Sequence, residues 1–279
     1  MNPLVLAVPE WLHQKGDPGV ITASQVATAL EENPYESACS LCMFKMGKSQ
    51  RTLDSIPMRR GRFMEPFVAE LYAEETGEYL TDPGPTTVWQ HPIYPWLYAT
   101  PDRLNSAMQP RELKAPNINQ WENWRTPPRH YWIQVQIQMQ CLDVSQGRLI
   151  GLINDSLVVH DIERDQDWFD EAVTRLLYFR DRCLTNDPPP PRPRDAAYAL
   201  ETKKDNGLTV DRPDLFGVCE ERDWMIGRMQ GIESEVAWRT DQIKIAMGEA
   251  SELTCGQFRF TWKGNKHGTR TFRGGKRNG

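Results

Sequence analysis

Residues Ala99–Pro116 read A-T-P-D-R-L-N-S-A-M-Q-P-R-E-L-K-A-P and set Asp102 ten positions before the Glu112-Leu113-Lys114 triplet. In an extended strand alternate side chains share a face, so Glu112 and Lys114 project together while Leu113 turns into the core. Pro101 disfavours helix before it, and Asn105–Pro110 has the composition of a turn. Tyr98–Leu104 and Arg111–Ala115 are therefore expected to be neighbouring strands of a hairpin. Folded that way, Asp102 and Glu112 can reach one cation. Their carboxylates, with the main-chain carbonyl of Leu113, make an oxygen-only donor set suited to Mg²⁺, for which Mn²⁺ can substitute. Such an ion acidifies a bound water and shields charge on a phosphate under attack. Lys114 would orient or deprotonate that water and stabilise the added negative charge. The chemistry indicated is phosphodiester hydrolysis. A bare Glu-x-Lys is also an ordinary surface-strand alternation, and spacing alone leaves both readings open.

The elements that must position these groups belong to a chain of 279 residues, 39% hydrophobic and 10% aromatic, enough for one sizeable core and a smaller appendage. No long apolar run and no basic segment leading into one is present, so neither a membrane span nor a secretion signal is expected and the expected location is cytoplasmic. The six cysteines are scattered, which favours reduced thiols, and the close pair Cys39/Cys42 lacks two further ligands at zinc or iron–sulfur spacing. Net charge is −5, but it is unevenly spread. Lys45, Lys48, Arg51, Arg59, Arg60 and Arg62 face one acid, Asp54, in the stretch 45–62, and from Gln257 onward there are seven Lys or Arg and no acid. Both stretches are candidate phosphate-tracking surfaces, the second also reading as a solvated basic tail over Gly274–Gly279.

Ile21-Thr22-Ala23-Ser24 leads into a capped helix at Gln25–Glu31, and Gly61–Gly77 reads as a longer helix with Phe63, Phe67, Leu71 and Tyr72 at core-facing intervals and Pro66 near its first turn. Thr86–Trp89 and Trp96–Leu104 read as strands, and Asn117–Arg129 as irregular. In Tyr131–Leu142, Ile133, Val135, Ile137 and Met139 alternate with four glutamines, a strand-like period. Helical spacing would instead place Tyr131, Gln134 and Gln138 on one face beside a metal, and the pattern leaves this open. Arg148–Asn154 and Ser156–Ile162 suggest a hairpin, and Asp165–Leu184 an amphipathic helix. The domains expected are a core over 1–186, a stiff Pro-rich connector at 187–194, and an extension over 195–279 with a helix at Val218–Ala250 and a basic hairpin of Gln257–Trp262 and Thr269–Arg273. A phosphate-binding loop of ATPase type at Gly47-Lys48-Ser49 is disfavoured, because Cys42 stands where that motif needs glycine.

The order of the blocks, over about Trp11 to Leu184, resembles the lambda exonuclease and YqaJ viral recombinase family of phage exonucleases. The blocks are I-T-A-S at Ile21–Ser24, the Gly61-x-x-x-Glu65 helix, T-P-D at Thr100–Asp102, E-L-K-A-P at Glu112–Pro116 and Y-W-I-Q-V-Q at Tyr131–Gln136. The resemblance implies an α/β, PD-(D/E)XK restriction-endonuclease-like core in which a mixed central sheet is flanked by helices. It implies Glu65, Asp102, Glu112 and the Leu113 carbonyl around Mg²⁺, with Lys114 catalytic and Gln134 on a helix bordering the site. It also implies 5′-to-3′ digestion of one strand of double-stranded DNA from its end, a 3′ overhang for a single-strand annealing protein, and a homo-oligomeric ring, commonly a trimer. The family's 5′-phosphate pocket maps onto Ser24 and Thr100, but the arginine expected shortly before I-T-A-S is missing, and Lys15 is the substitute at hand. Lysine gives a point charge without a fork, which puts a strict need for a 5′-phosphate in question. Tyr131, Arg60 and Arg62 complete the expected DNA contacts. The alternatives are a structure-selective or Cas4-like endonuclease on the same fold, the latter usually carrying a four-cysteine cluster absent here, and a catalytically inert DNA-binding recombination accessory.

Overall fold

The computed structural model describes residues 4–5, 15–49, 56–84, 86–116, 122–193, 195, 207, 209, 211–264 and 269–276. The chain forms two compact units, Met1–Lys204 and Asp205–Gly279.

The first unit is a mixed α/β structure with the PD-(D/E)XK architecture. Its larger sheet runs β3(Leu80–Thr81)-β6(Arg103–Asn105)-β7(Pro110–Lys114)-β8(Gln146–Ile153)-β9(Ser156–Glu163), with β7 and β8 parallel and the other neighbours antiparallel. The smaller sheet is β1(Leu4–Val5)-β4(Thr87–Gln90)-β5(Leu97–Ala99)-β2(Ile21–Thr22). The expected strand Trp96–Leu104 is thus two strands in two different sheets. The break falls at Thr100-Pro101-Asp102, where Pro101 has no N–H to continue a ladder. Helices α1(Ala23–Ala29), α2(Ala38–Lys45), α3(Ile56–Thr76), α4(Arg129–Leu142) and α5(Gln166–Leu184) pack around the sheets.

The ambiguous glutamine-rich segment is α4, and its burial explains the misleading period. It packs against strands of both sheets, so Ile133, Val135, Ile137 and Met139 are buried, but so are Gln136, Gln138 and Gln140. A helix enclosed on most sides loses the amphipathic signature of a surface helix. Its glutamines are tolerated because they are partnered: Gln136 donates to the Glu163 carbonyl at 2.7 Å and accepts from Asp165 N, and Gln140 reaches Gln166.

Helix α3 departs from expectation in two ways. It begins at Ile56, so Pro66 lies well inside it and cannot supply the N–H that the Arg62 carbonyl would otherwise receive. Its buried stripe is Val68, Ala69 and Tyr72, flanked by the half-buried Met64 and Leu71 and packed on Leu113, Ile150 and Leu152. Phe63 and Phe67 lie on the adjoining stripe and are 81% and 51% exposed. Along α5, by contrast, Phe169, Ala172, Leu176 and Phe179 enter the core as its period requires, and Asp165 caps its start by accepting from Trp168 N. In the β8–β9 hairpin Asn154 adopts φ 56°, the left-handed conformation that a two-residue turn requires. The Pro-rich stretch is fastened to this unit: Arg192 donates to the Glu31 and Asn33 carbonyls, and Asp195 accepts from Ser37. The last connector position, 194, lies outside the described residues, as do 50–55 of the first basic stretch and 117–121 of the expected irregular stretch.

In the second unit, α6(Phe216–Met247) precedes an antiparallel sheet β10(Glu252–Cys255)-β11(Phe258–Gly264)-β12(Arg270–Lys276). The expected hairpin is therefore two strands of three. The added strand is short and polar, with little β signal of its own, and Gly256 at φ 56° turns it onto β11. The hairpin tip, 265–268, and the end of the basic tail, 277–279, lie outside the described residues. Among the described residues no helix is long and apolar enough to cross a membrane.

Candidate active site

The β6–β7 hairpin pairs Arg103 with Arg111 and Leu104 with Pro110. Asp102 stands immediately before β6, and its Oδ2 accepts the main-chain N–H of Leu113 at 2.8 Å. Glu112 is fully buried. Its Oε1 accepts from Gln134 Nε2 at 2.6 Å and from Lys114 Nζ, and its Oε2 accepts from Gln138 Nε2 at 2.6 Å. Lys114 Nζ also lies 3.7 Å from Asp102 Oδ2, so one ammonium bridges the two carboxylates. The alternation predicted for β7 holds: Leu113 is buried against Val68, Tyr72 and Ile150 on the opposite face.

The charges strain against one another. Burial, and then the charge of Asp102, push the Glu112 carboxyl up to about 7, and the same two causes raise that of Glu65 on α3. Burial works against the Lys114 ammonium, but Glu112 and Asp102 more than offset it and hold the amine protonated. Carboxyls that disfavour one another's ionisation form a site short of positive charge, and donors that are all oxygen suit a hard divalent cation. As placed, no three His, Cys, Asp or Glu side chains among the described residues are gathered into a metal-binding group. Asp102 and Glu112 converge on Lys114, and Glu65 joins them through charge.

Around this centre, the Tyr131 ring centroid lies 5.4 Å from Lys114 Nζ. Arg60 Nη1 donates to the Ala115 carbonyl at 2.8 Å, tying α3 to the end of β7, and the charge of Arg62 acts on Glu65. Thr22 on β2 pairs in parallel with Tyr98 on β5, so Ser24, in the first turn of α1, and Thr100, just past β5, both follow the same end of this strand pair. Ser24 Oγ is 3.2 Å from Thr22 Oγ1. Lys15 is placed by its main chain, its carbonyl accepting from Gln25 and from the buried Lys45.

Gln138 was legible only as a neighbour of Gln134 on one helical face, yet it holds the second oxygen of Glu112. Its own Oε1 is buried without a hydrogen-bond partner. His130 carried no motif at all. Its ring lies 3.9 Å from that of Tyr131, and burial, together with the Lys114 charge, lowers its pKa to about 4.

The sequence matches the YqaJ-like viral recombinase domain over residues 10–145. Among solved structures the chain is similar to an alkaline exonuclease, LHK-Exo, from Laribacter hongkongensis, with a TM-score of 0.52 and 25% identity over 64% of this chain and 94% of that one. The same values hold for LHK-Exo in complex with dAMP. A phage-related exonuclease from Haemophilus somnus has a TM-score of 0.48 and 12% identity over 60% of this chain and 96% of that one. No curated protein sequence matches the chain.

Proposed function

Since residues 10–145 match the YqaJ-like viral recombinase domain, we propose that the protein is a Mg²⁺-dependent exonuclease that digests one strand of duplex DNA from its 5′ end and leaves a 3′ overhang. The observation that carries this reading is the sharing of one cationic group, Lys114 Nζ, by Asp102 and Glu112. The similar LHK-Exo has been crystallised with dAMP, and a deoxynucleoside monophosphate is the product of digestion from an end.

Glu65, Asp102, Glu112 and the Leu113 carbonyl would hold Mg²⁺ or Mn²⁺, which when bound supplies Lewis-acid shielding of the phosphate and a more acidic water. The remaining work falls to the chain's own groups. Gln134 and Gln138 fix both oxygens of Glu112, so the carboxylate cannot rotate away from the strand end. Lys114, kept as an ammonium by two carboxylates, orients the attacking water and stabilises the charge added at phosphorus, and serves less well as a base. Tyr131 presents its ring beside it. Ser24 and Thr100 receive the 5′-phosphate, with Lys15 supplying charge, and Arg60 and Arg62 on α3 follow the backbone. An annealing protein takes up the overhang in the cytoplasm, and a homotrimeric ring is the assembly that would enclose the duplex.

The test compares linear 5′-phosphorylated, linear 5′-hydroxyl and covalently closed duplexes with Mg²⁺. Digestion of both linear forms with the circle intact is expected. A circle cut at the linear rate would replace the exonuclease with an endonuclease, and a protein that binds DNA but cuts none of the three would be an inert accessory.

A further inference from the structure

We propose that the C-terminal sheet is a second nucleic-acid contact, one face of which grips a phosphodiester backbone. The register assigns the faces. Thr261 pairs with Arg273, Arg259 with Gly275 and Lys263 with Thr271, so these six share one side. The other side carries Phe258, Phe260, Trp262 and Phe272. There Phe260 and Phe272 stack at 5.5 Å, Lys244 of α6 lies 5.8 Å over Phe272, and Arg270 covers Trp262 at 4.0 Å while donating to the Gly248 and Ala250 carbonyls. The end of α6 thus occupies the aromatic side, and Arg259, Lys263, Thr271 and Arg273 are exposed on the other.

That exposed side is predominantly basic. Strands β11 and β12 place Arg259, Lys263 and Arg273 on it and no acid, and Glu252 on the edge strand pairs with Arg259 at 2.7 Å. Arg259 and Lys263, four residues apart on one strand, stand about 13.6 Å apart, with Arg273 on the neighbouring strand opposite the Thr261 between them. Threonine hydroxyls interleaved with cations are donors suited to phosphate oxygens. The two glycines of β12 differ in an informative way. Gly274, at φ 136°, is demanded by the fold, since a Cβ there would lie 2.2 Å from the Arg259 carbonyl oxygen. A Cβ on Gly275 would meet nothing within 4 Å. Packing therefore does not require glycine at 275, and its effect is to leave the surface beside Arg259 open to close approach by a backbone.

The choice of DNA as the polyanion rests on the nuclease reading, while the basic face does not. The experiment measures binding of the full-length protein to labelled blunt duplex and to labelled single-stranded oligonucleotide in EDTA, where cleavage plays no part. Lys263→Glu/Arg273→Glu is compared with Arg222→Glu/Arg228→Glu, which makes the same charge change on exposed positions of α6. The first pair is expected to weaken binding roughly 10-fold or more at low salt. Its log–log salt slope should fall by about 1.8 on the duplex, or about 1.4 on single strands. Lys263→Arg/Arg273→Lys should restore both, and the DNA form that responds identifies which backbone is held. With Mg²⁺, KM should rise while kcat stays unchanged. Unaltered affinity and slope on both DNA forms, or an equal loss in the α6 control, would overturn the proposal. So would loss of polyglutamate binding with DNA binding intact, which would indicate an acidic protein partner. A protein that loses DNA through these substitutions yet never cleaves would refute the nuclease reading and keep this contact.

Discussion

Asp102 accepts the main-chain N–H of Leu113 through Oδ2 at 2.8 Å, so the same carboxylate that faces Lys114 also fastens the turn before β6 to β7. Chemistry and architecture can be separated at this residue. Asp102→Asn keeps a carbonyl oxygen for Leu113 N–H and should melt within a few degrees of the parent. Its cleavage rate should fall by about 10²-fold or more, as when one preorganised electrostatic group is lost. Asp102→Ala leaves that N–H without its acceptor and should lose about 1–3 kcal/mol of stability as well. Chemical denaturation and Mg²⁺-dependent cleavage of a linear duplex read the two effects. Undiminished cleavage by Asp102→Asn would remove this aspartate from the reaction.

Glu112 gives a pH dependence with an unusual sign. Its carboxyl is raised from the ordinary 4.5 to about 7 by burial and by Asp102, so between those values the folded protein holds a proton that the unfolded chain has released. Metal-free stability from this group is therefore full below about 4.5 and is lost as pH rises through about 7. A bound cation favours the ionised form, so Mg²⁺ should raise the melting temperature more at pH 8 than at pH 5.5. Saturation at about 100 times Kd corresponds to about 2.7 kcal/mol. Glu112→Gln should shrink the difference to what Glu65, raised by the same causes, leaves. A Mg²⁺-induced gain that ignores both pH and this substitution would come from another site.

Glu78 behaves in the opposite sense. Burial pushes its carboxyl up, but hydrogen bonds from Arg111, Tyr72 and Asn105 outweigh this and hold it at about 2. Its contribution is complete above about 4.5 and disappears as pH falls through about 2, and the shift corresponds to roughly 3 kcal/mol. Glu78→Gln should therefore destabilise the protein at pH 7 and change little at pH 2, as read by urea unfolding at the two pH values. Equal losses at both would assign the effect to packing.

What the sequence exposed and what it concealed follow from the range of the interactions. Asp102, Glu112 and Lys114 were legible because strand alternation and a short hairpin are local, and the structure brings them together. The glutamines of α4 were ambiguous because enclosure between two sheets, a nonlocal fact, replaced the helical period with one that mimics a strand. Phe63 and Phe67 were misplaced for a related reason: aromatic residues suggested the buried stripe, whereas α3 buries Val68, Ala69 and Tyr72. Gln138 gains its role only from the position of Glu112, 26 residues away in sequence. The third strand of the C-terminal sheet was missed because pairing with β11, rather than its own composition, makes Glu252–Cys255 a strand.

Gly151 shows how far support for the site extends. It pairs with Lys114 across the parallel β7–β8 ladder. A Cβ there would lie 2.4 Å from Trp124 Cζ3 and 2.7 Å from Cε3, so the absent side chain is what lets the indole lie against the strand. Trp124 is buried, and its ring rests 5.7 Å from Tyr131, which in turn stands over Lys114. Gly151→Ala should therefore cost about 1–3 kcal/mol by overpacking. It should also lower cleavage, because the displaced indole pushes on Tyr131 and disturbs the ammonium. Trp124→Phe removes the clashing ring edge, so in the Gly151→Ala background it should recover part of both losses, a coupling that separate costs would not show. Melting curves and cleavage rates of the two single variants and the double variant close the cycle. Strict additivity would mean that Lys114 is positioned independently of Trp124.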